Sequence, residues 1–353
     1  MTRWSKPHAL RCGHLKRIKG QAMLRIGLLG CGRIGQVHAL TLAGVEGAEL
    51  VAVSDFVPEA AQALATKYKA KAMTSDEVIA SPNVDAVAIC TPTTTHFDLI
   101  HQAASAGKAI FCEKPIDLST ARTRQCIAAV EAAGVPFMTA FNRRFDPSFA
   151  HLESQLRAGA IGDIELVTIL SRDPSPPPIG YIEQSGGLFR DMMVHDFDMA
   201  RFLLAEEPVK LYATGSSLVD EAIGEAGDVD TAAVMLTTAS GRICQISNSR
   251  RSTYGYDQRI EVHGSKGLLK GENQMEHSVV LANGDGFTGA PTQHFFLERY
   301  ARAYAREMEH FVKAVGSGMT PSPSIEDGLR AQMLADAAQK SMETGLSVKI
   351  GST

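Results

Sequence analysis

The sequence predicts an α/β protein, with an N-terminal doubly wound parallel sheet and a C-terminal α/β domain built on an open, mostly antiparallel sheet. Three observations predict it. Between Leu24 and Ala140, short apolar runs alternate with helical stretches across short loops, as in parallel βαβ units. The first run ends in Gly30-Cys31-Gly32-Arg33-Ile34-Gly35, a glycine loop between strand and helix. After about residue 142 the pattern becomes strand upon strand, joined by turns.

The elements follow in order. Leu24–Leu29 is the first strand, and a helix pattern runs from the glycine loop to Ala43. Glu49–Ser54 is the second strand, closed by Asp55, and Pro58–Tyr68 is a helix with proline in its first turn. Ala86–Cys90 is a buried strand ending at Thr91-Pro92. Phe97–Ala106 is a helix stopped by Gly107. Ala109–Cys112 leads into Glu113-Lys114-Pro115. Ser119–Ala133 is helical up to Gly134, and Pro136–Ala140 is the last strand of the set. Beyond it, Ile164–Ser171 is a strand followed by a stiff proline-rich connection through Pro178. Then come a helical run around His195 and the strands Val209–Thr214, Asp230–Thr238, Gly241–Ser249, Gln258–His263 and Leu268–Lys270. Ser324–Gly345 is a terminal helix with an acidic start and a glycine stop.

Bulk properties narrow the function. At 353 residues the chain holds two domains, 23–142 and 143–353, and its net charge of −4 gives no reason to expect nucleic acid or an anionic membrane as partner. No apolar run reaches the length of a membrane span. The six cysteines show no CxxC pair and no metal-ligand rhythm, so no metal is expected and a reducing cytoplasm fits. Residues 1–22 carry six Lys/Arg, two His and no acid, unlike the rest. They are expected to be disordered, dispensable and upstream of a natural start at Met23.

The glycine loop and Asp55 together make a dinucleotide fingerprint of the Rossmann type. Gly30 permits the turn, Gly32 lets backbone N–H groups approach a pyrophosphate, and Gly35 lets helix and strand pack closely. Arg33 and Ile34 open the helix, whose N-terminus favours phosphate. Asp55, twenty residues beyond Gly35, is placed to accept ribose hydroxyls and to repel a 2′-phosphate, so NAD is expected in preference to NADP. Lys114 lies at the carboxyl end of a parallel strand beside Glu113. There it either holds a substrate oxygen or is simply solvated. Thr91 and His96 occupy the equivalent edge one unit earlier, as a nicotinamide-side contact or as a helix-starting turn.

Residues 186–203, GGLFRDMMVHDFDMARFL, place Asp191 and His195 at i,i+4 spacing, on one face of a helix. A carboxylate beside a histidine fixes its tautomer and stabilises the imidazolium, which suits a general base for an alcohol. The alternative is a surface or capping pair. The apolar surroundings (Leu188, Phe189, Met192, Met193, Val194, Phe197) and the preceding Gly186-Gly187 favour a partly buried site. Asp196 and Asp198 read as structural.

Together these pieces resemble the GFO/IDH/MocA oxidoreductase family, and its inositol 2-dehydrogenase branch in particular, over nearly the whole chain from Met23. The family pattern of glycine loop, EKP triplet and Asp four before His is present at Gly30–Gly35, Glu113–Pro115, and Asp191 with His195. Branch-like stretches are AFNRRFDPSF at 140–149, SRDPSPPPIGYIEQSGG at 171–187 and SRRSTYGYDQRIEVHGSKG at 249–267. The resemblance implies a catalytic trio of Lys114, Asp191 and His195. It also implies substrate contacts at Arg144, Asp173 and Tyr254, NAD as cofactor, a small polyol as substrate, and a homotetramer formed by packing the C-terminal sheets. Arg144 has the alternative of a salt bridge to Asp146, and Tyr254 that of cross-strand packing. The implied reaction is oxidation of myo-inositol at C2 to 2-keto-myo-inositol. Rivals are a dehydrogenase for scyllo-inositol, D-chiro-inositol or an aldose, a non-catalytic NAD-binding regulator, and an enzyme that keeps its nicotinamide tightly bound.

Overall fold

The computed structural model describes residues 23–351, and the expectations for residues 1–22 lie outside them. The chain divides into two compact units. One takes the described residues through Asp117, Ala121–Ala140 and Met308–Ile325; the other takes Leu118–Thr120, Phe141–Glu307 and the chain from Glu326 onward. The change of pattern near residue 142 thus falls at the step from Ala140 to Phe141, and the chain later returns to the first unit for 308–325.

The first unit is a parallel sheet of β1 (Leu24–Leu29), β2 (Ala48–Ser54), β3 (Lys71–Ala72), β4 (Ala86–Ile89), β5 (Ala109–Glu113) and β6 (Phe137–Ala140). The spatial order is β3-β2-β1-β4-β5-β6, with every pairing parallel. Helices α1 (Arg33–Leu42), α2 (Pro58–Tyr68), α3 (Ser75–Ala80), α4 (His96–Ser105) and α5 (Thr120–Ala133) make the connections. Parallel strands covered on both faces need no alternation, and β4 and β5 are buried at every position. Leu29, Val87, Ile89, Ile100, Ile110, Cys112 and Phe137 share one apolar cluster. Each large side chain there contributes about 1.5–3 kcal/mol by leaving water. Strand order reverses between β1 and β4, and the crevice beyond the carboxyl ends of such strands is where open α/β sheets take ligands.

In the second unit α6 (Pro147–Arg157) precedes β7 (Ile164–Arg172), α7 (Ile179–Ser185), α8 (Gly187–Asp191) and α9 (Val194–Leu204). There follow β8 (Pro208–Ser216), α10 (Glu221–Glu225), β9 (Thr231–Thr238), β10 (Ile243–Ser249), β11 (Asp257–Gly264) and β12 (Gly267–Gly271). A small hairpin of β13 (Leu281–Asn283) and β14 (Gly286–Thr288) leads to α11 (Phe296–Arg299), α12 (Ala301–Ser317), α13 (Ile325–Thr344) and β15 (Val348–Lys349). The sheet order is β12-β11-β7-β10-β9-β8-β15. Its pairings are antiparallel except β7 with β10, so the sheet is mixed and mostly antiparallel. The parallel pair arises because the chain leaves β7 through four helices and two further strands before it returns, long enough for a crossover. Along β9 and β10 buried and exposed residues alternate, so one face of this sheet is covered and the other open.

Candidate active site

In the first unit the glycine loop is shaped by its own backbone. Gly30 sits at φ +97° and its N–H donates to the Ser54 carbonyl at 2.8 Å. A Cβ on Gly35 would lie 1.9 Å from the Gly30 carbonyl oxygen, whereas a Cβ on Gly32 would meet nothing within 4 Å. Gly32 caps α1, no side chain caps that end, and no acidic residue lies in its first turn. The start of α1 is therefore open beside Gly32, a cradle that fits a pyrophosphate. Asp55 is aimed by two backbone donors: Cys31 N–H to one oxygen at 2.6 Å and Val57 N–H to the other at 2.8 Å. Each oxygen keeps acceptor capacity for a ribose hydroxyl. Phe56 beside it is fully exposed.

At the neighbouring strand ends, two expected cofactor contacts have other work. His96 is 1 % exposed, its ring nitrogens 2.9 Å from the Thr91 and Pro115 carbonyls. Burial holds its pKa below the usual histidine value, against the two carbonyls. It ties the turn after β4 to the turn after β5, so the helix-starting alternative describes it better than a nicotinamide contact. The Thr91 hydroxyl lies 2.6 Å from that of Thr95. Glu113 is buried, 2.7 Å from His38 Nε2 on α1, and its other oxygen accepts the Lys114 N–H at 3.3 Å. Its carboxylate thus fixes the loop that carries Lys114. The Lys114-Pro115 peptide is cis.

In the second unit the expected single helix is two. α8 ends at Asp191, Met192 and Met193 form a turn, and α9 opens at Val194, so His195 lies in its first turn. The turn keeps helical backbone angles, and the Met192 and Met193 N–H groups both donate to the Leu188 carbonyl. Asp191 accepts the Tyr181 hydroxyl at 2.8 Å on one oxygen and Arg250 Nη1 at 3.4 Å on the other. The Phe141 ring meets His195 edge-on at 6.1 Å.

Three expectations about the surrounding polar residues resolve differently. Arg144 is locked to Asp198 through Nε at 2.8 Å and Nη2 at 2.5 Å, and to Asp327 at 3.0 Å. Those carboxylates raise the Arg144 pKa against burial. Its guanidinium is therefore a structural cross-link, and its partner is not Asp146, which caps α6 and accepts Arg299. Asp196 and Asp198 are structural as expected, paired with Arg143 and Arg144. Tyr254 is exposed and its hydroxyl donates to Asp257 at 2.7 Å, a local contact. Asp173 is distinguished by its electrostatics. Burial pushes its carboxyl up to about 6, with Arg250 and Arg143 opposing and Asp191 and Asp196 adding to the rise.

A raised carboxyl has a definite sign in stability. The usual value for Asp173 is 3.8, so between about 4 and 6 the folded protein holds a proton the unfolded chain has lost. Stability falls as pH rises through that window and stays lower above it. Asp173→Asn is expected to raise Tm relative to wild type above about pH 6, the difference vanishing below about pH 4. Superimposable Tm–pH curves for the two proteins would refute the assignment.

Sequence reasoning did not find Tyr181, Arg250, Asp228 or His38. Tyr181 and Arg250 stand 10 and 59 residues from Asp191, and His38 stands 75 from Glu113. No local spacing rule links them. The one available signal was Tyr181 itself, an aromatic donor just past the prolines that launch α7.

Both units resemble known proteins. Residues 24–141 match the model of an oxidoreductase family with an NAD-binding Rossmann fold, and residues 149–270 match the GFO/IDH/MocA C-terminal domain. An inositol 2-dehydrogenase of Rhizobium meliloti is 54% identical over 93% of this chain and 99% of its own. A myo-inositol 2-dehydrogenase of Thermotoga maritima is 47% identical over 93% of this chain and 98% of its own. The crystal structure of a scyllo-inositol dehydrogenase from Lactobacillus casei, with bound NAD(H) and scyllo-inositol, superimposes with a TM-score of 0.88. It is 29% identical and covers 94% of this chain and all of that one.

Proposed function

The chain belongs to the GFO/IDH/MocA family of NAD-dependent oxidoreductases, and on that premise we propose that it is an inositol 2-dehydrogenase, oxidising myo-inositol at C2 to 2-keto-myo-inositol (scyllo-inosose). The observation that carries the reading is the seating of Asp191 and His195 across one helical turn in a chain with an open glycine cradle and an aimed Asp55. His195 takes the proton of the C2 hydroxyl as general base. Asp191 orients the imidazole and stabilises its protonated form. Lys114 donates to the reacting oxygen as its charge develops. What NAD⁺ supplies when bound is the acceptor for the C2 hydride, so alcohol and NAD⁺ become ketone, NADH and one proton. Gly30, Gly32, Arg33, Ile34, Gly35 and Asp55 hold it, and Asp173 is retained as a substrate contact. A hydroxyl-rich substrate is sorted by matched polar partners, because an epimer that leaves one unpaired is penalised.

The quaternary reading rests on the open face of the second unit's sheet, where Leu166, Tyr212, Met235 and Ile243 are exposed together. We propose a homotetramer formed by packing these faces. Light scattering that returned a monomer mass would reject it. Among the described residues no helix is long and apolar enough to cross a membrane, and a cytoplasmic location is proposed with the function.

The direct test is NADH formation from myo-inositol and NAD⁺ at alkaline pH, where oxidation is favoured, with scyllo-inositol, D-chiro-inositol and NADP⁺ in parallel. Turnover of myo-inositol with NAD⁺ well above NADP⁺ is expected. Turnover of another epimer alone would move the substrate within the class. Equal use of NADP⁺ would sink the Asp55 argument. No turnover with NADH still binding would leave a non-catalytic binder.

A further inference from the structure

A carboxylate that must orient an imidazole faces a problem of its own, since its terminal torsion turns freely and its two oxygens are alike. In this protein both oxygens of Asp191 are held from outside its helix. The Tyr181 hydroxyl donates to Oδ1 at 2.8 Å, and Arg250 Nη1 donates to Oδ2 at 3.4 Å. Arg250 is 1 % exposed, and it directly follows β10, where its own N–H donates to the Asp230 carbonyl at 2.8 Å.

The guanidinium reaches both ends of α8. Its Nη2 lies 3.7 Å from Asp228 Oδ2, and Asp228 Oδ1 accepts the Leu188 N–H at 3.0 Å, at the start of that helix. The approach is close enough to require glycine. Gly187 sits at φ +81°, and a Cβ there would lie 2.7 Å from Asp228 Oδ1. Asp228 thus fixes the start of α8 while Arg250 fixes its last residue, Asp191. Tyr181 comes from α7, where its N–H donates to the Pro178 carbonyl at 2.9 Å. The stiff proline run sets where that ring stands.

We propose that Tyr181 and Arg250 are positioning residues for Asp191, each fixing one oxygen of its carboxylate. The inference rests on the reading of Asp191 as partner of the catalytic base. Each oxygen keeps further acceptor capacity, so the grip aims the carboxylate without consuming it. A small misplacement at a reacting centre costs up to about 100-fold in rate, which sets the scale of the effect.

The test is steady-state kinetics on the full-length enzyme with NAD⁺ and the polyol it turns over. Tyr181→Phe keeps the ring and removes one donor. It is expected to lower kcat roughly tenfold while leaving KM for polyol and for NAD⁺ within about twofold. Arg250→Met is expected to cost roughly 100-fold in kcat, with Arg250→Lys recovering part of it. In an Asp191→Asn background, Tyr181→Phe is expected to have little further effect, because the carboxylate it aims is gone. Asp191→Asn itself separates the two readings. Wild-type kcat in that variant would remove Asp191 from the mechanism and the positioning role with it. A large loss there, with wild-type kcat in Tyr181→Phe, would overturn the positioning role alone. So would a Tyr181→Phe effect confined to KM for polyol, which marks a substrate contact. Should the buried Arg250→Met variant fail to fold, the Tyr181→Phe result decides the proposal.

Discussion

Replacing His195 with alanine is expected to lower kcat by roughly a hundred- to ten-thousand-fold, the usual contribution of a positioned general base. NADH affinity is expected to stay within about twofold, because the cofactor groups belong to a separate stretch of chain, the loop after β1 and the end of β2. The split between the two readouts gives the prediction its content. A structural histidine in the first turn of α9 would, on truncation, loosen its contact with Phe141 and lower stability, with the losses spread across every activity measure. A base removes only the step it serves. Any residual rate is expected to rise with added imidazole in a way that the Phe141 contact cannot explain. Wild-type kcat in the variant would take His195 out of the mechanism.

What made His195 and Asp55 legible is that their signals are local. Asp55 follows the glycine loop at a set distance and closes a strand, and Asp191 stands four residues before His195. The parallel strands were legible for a related reason. Runs such as Ala86–Ile89 are buried at every position and are bounded by turn residues, so composition alone marks them. Helix α12 has no counterpart in the sequence reading, although Tyr304, Met308, Phe311 and Val315 recur at helical spacing. Arg302, Arg306, Glu307 and Glu309 interleave them, and no N-cap signal announces the start. Its C-terminal half belongs with the first unit, where Phe311 packs edge-on against Phe111 of β5 at 5.6 Å, a pairing across 200 residues of chain. The parallel pairing of β7 with β10 was hidden in the same way, since strand order depends on long-range contacts that no window of sequence contains. The ion pairs of Arg144 were hidden for the same reason, since Asp198 and Asp327 stand 54 and 183 residues away.

The three glycines of the cofactor loop are predicted to respond to the same substitution in two opposite ways. Gly35→Ala places a methyl 1.9 Å from the Gly30 carbonyl oxygen, a backbone atom that cannot swing aside. Helix α1 must back away from β1, and overpacking of this kind costs about 1–3 kcal/mol or more. Gly30→Ala places its methyl 2.6 Å from the Cys90 carbonyl oxygen and forces an L side chain to φ +97°. Both variants are expected to lose stability and cofactor affinity together. Gly32→Ala is different. Its φ of −67° suits any residue, and its Cβ would meet nothing within 4 Å. Gly→Ala at a compatible angle stabilises by about 0.4–1 kcal/mol through the unfolded chain. The weaker capping by alanine at the start of α1 offsets much of that. Tm is therefore expected to change little. The methyl nonetheless fills the open space at the start of α1, where a helix N-terminus offers its first N–H groups to a pyrophosphate. Each charge-assisted hydrogen bond lost there is worth about 1.5–3 kcal/mol, so NADH affinity is expected to fall roughly 100-fold or more. Calorimetry for Tm and fluorescence titration for NADH test the pair of statements on one sample. A Gly32→Ala protein that binds NADH like wild type would mean that the dinucleotide does not pass over this glycine. A variant that unfolds would mean that the open space beside Gly32 is not open in the working protein.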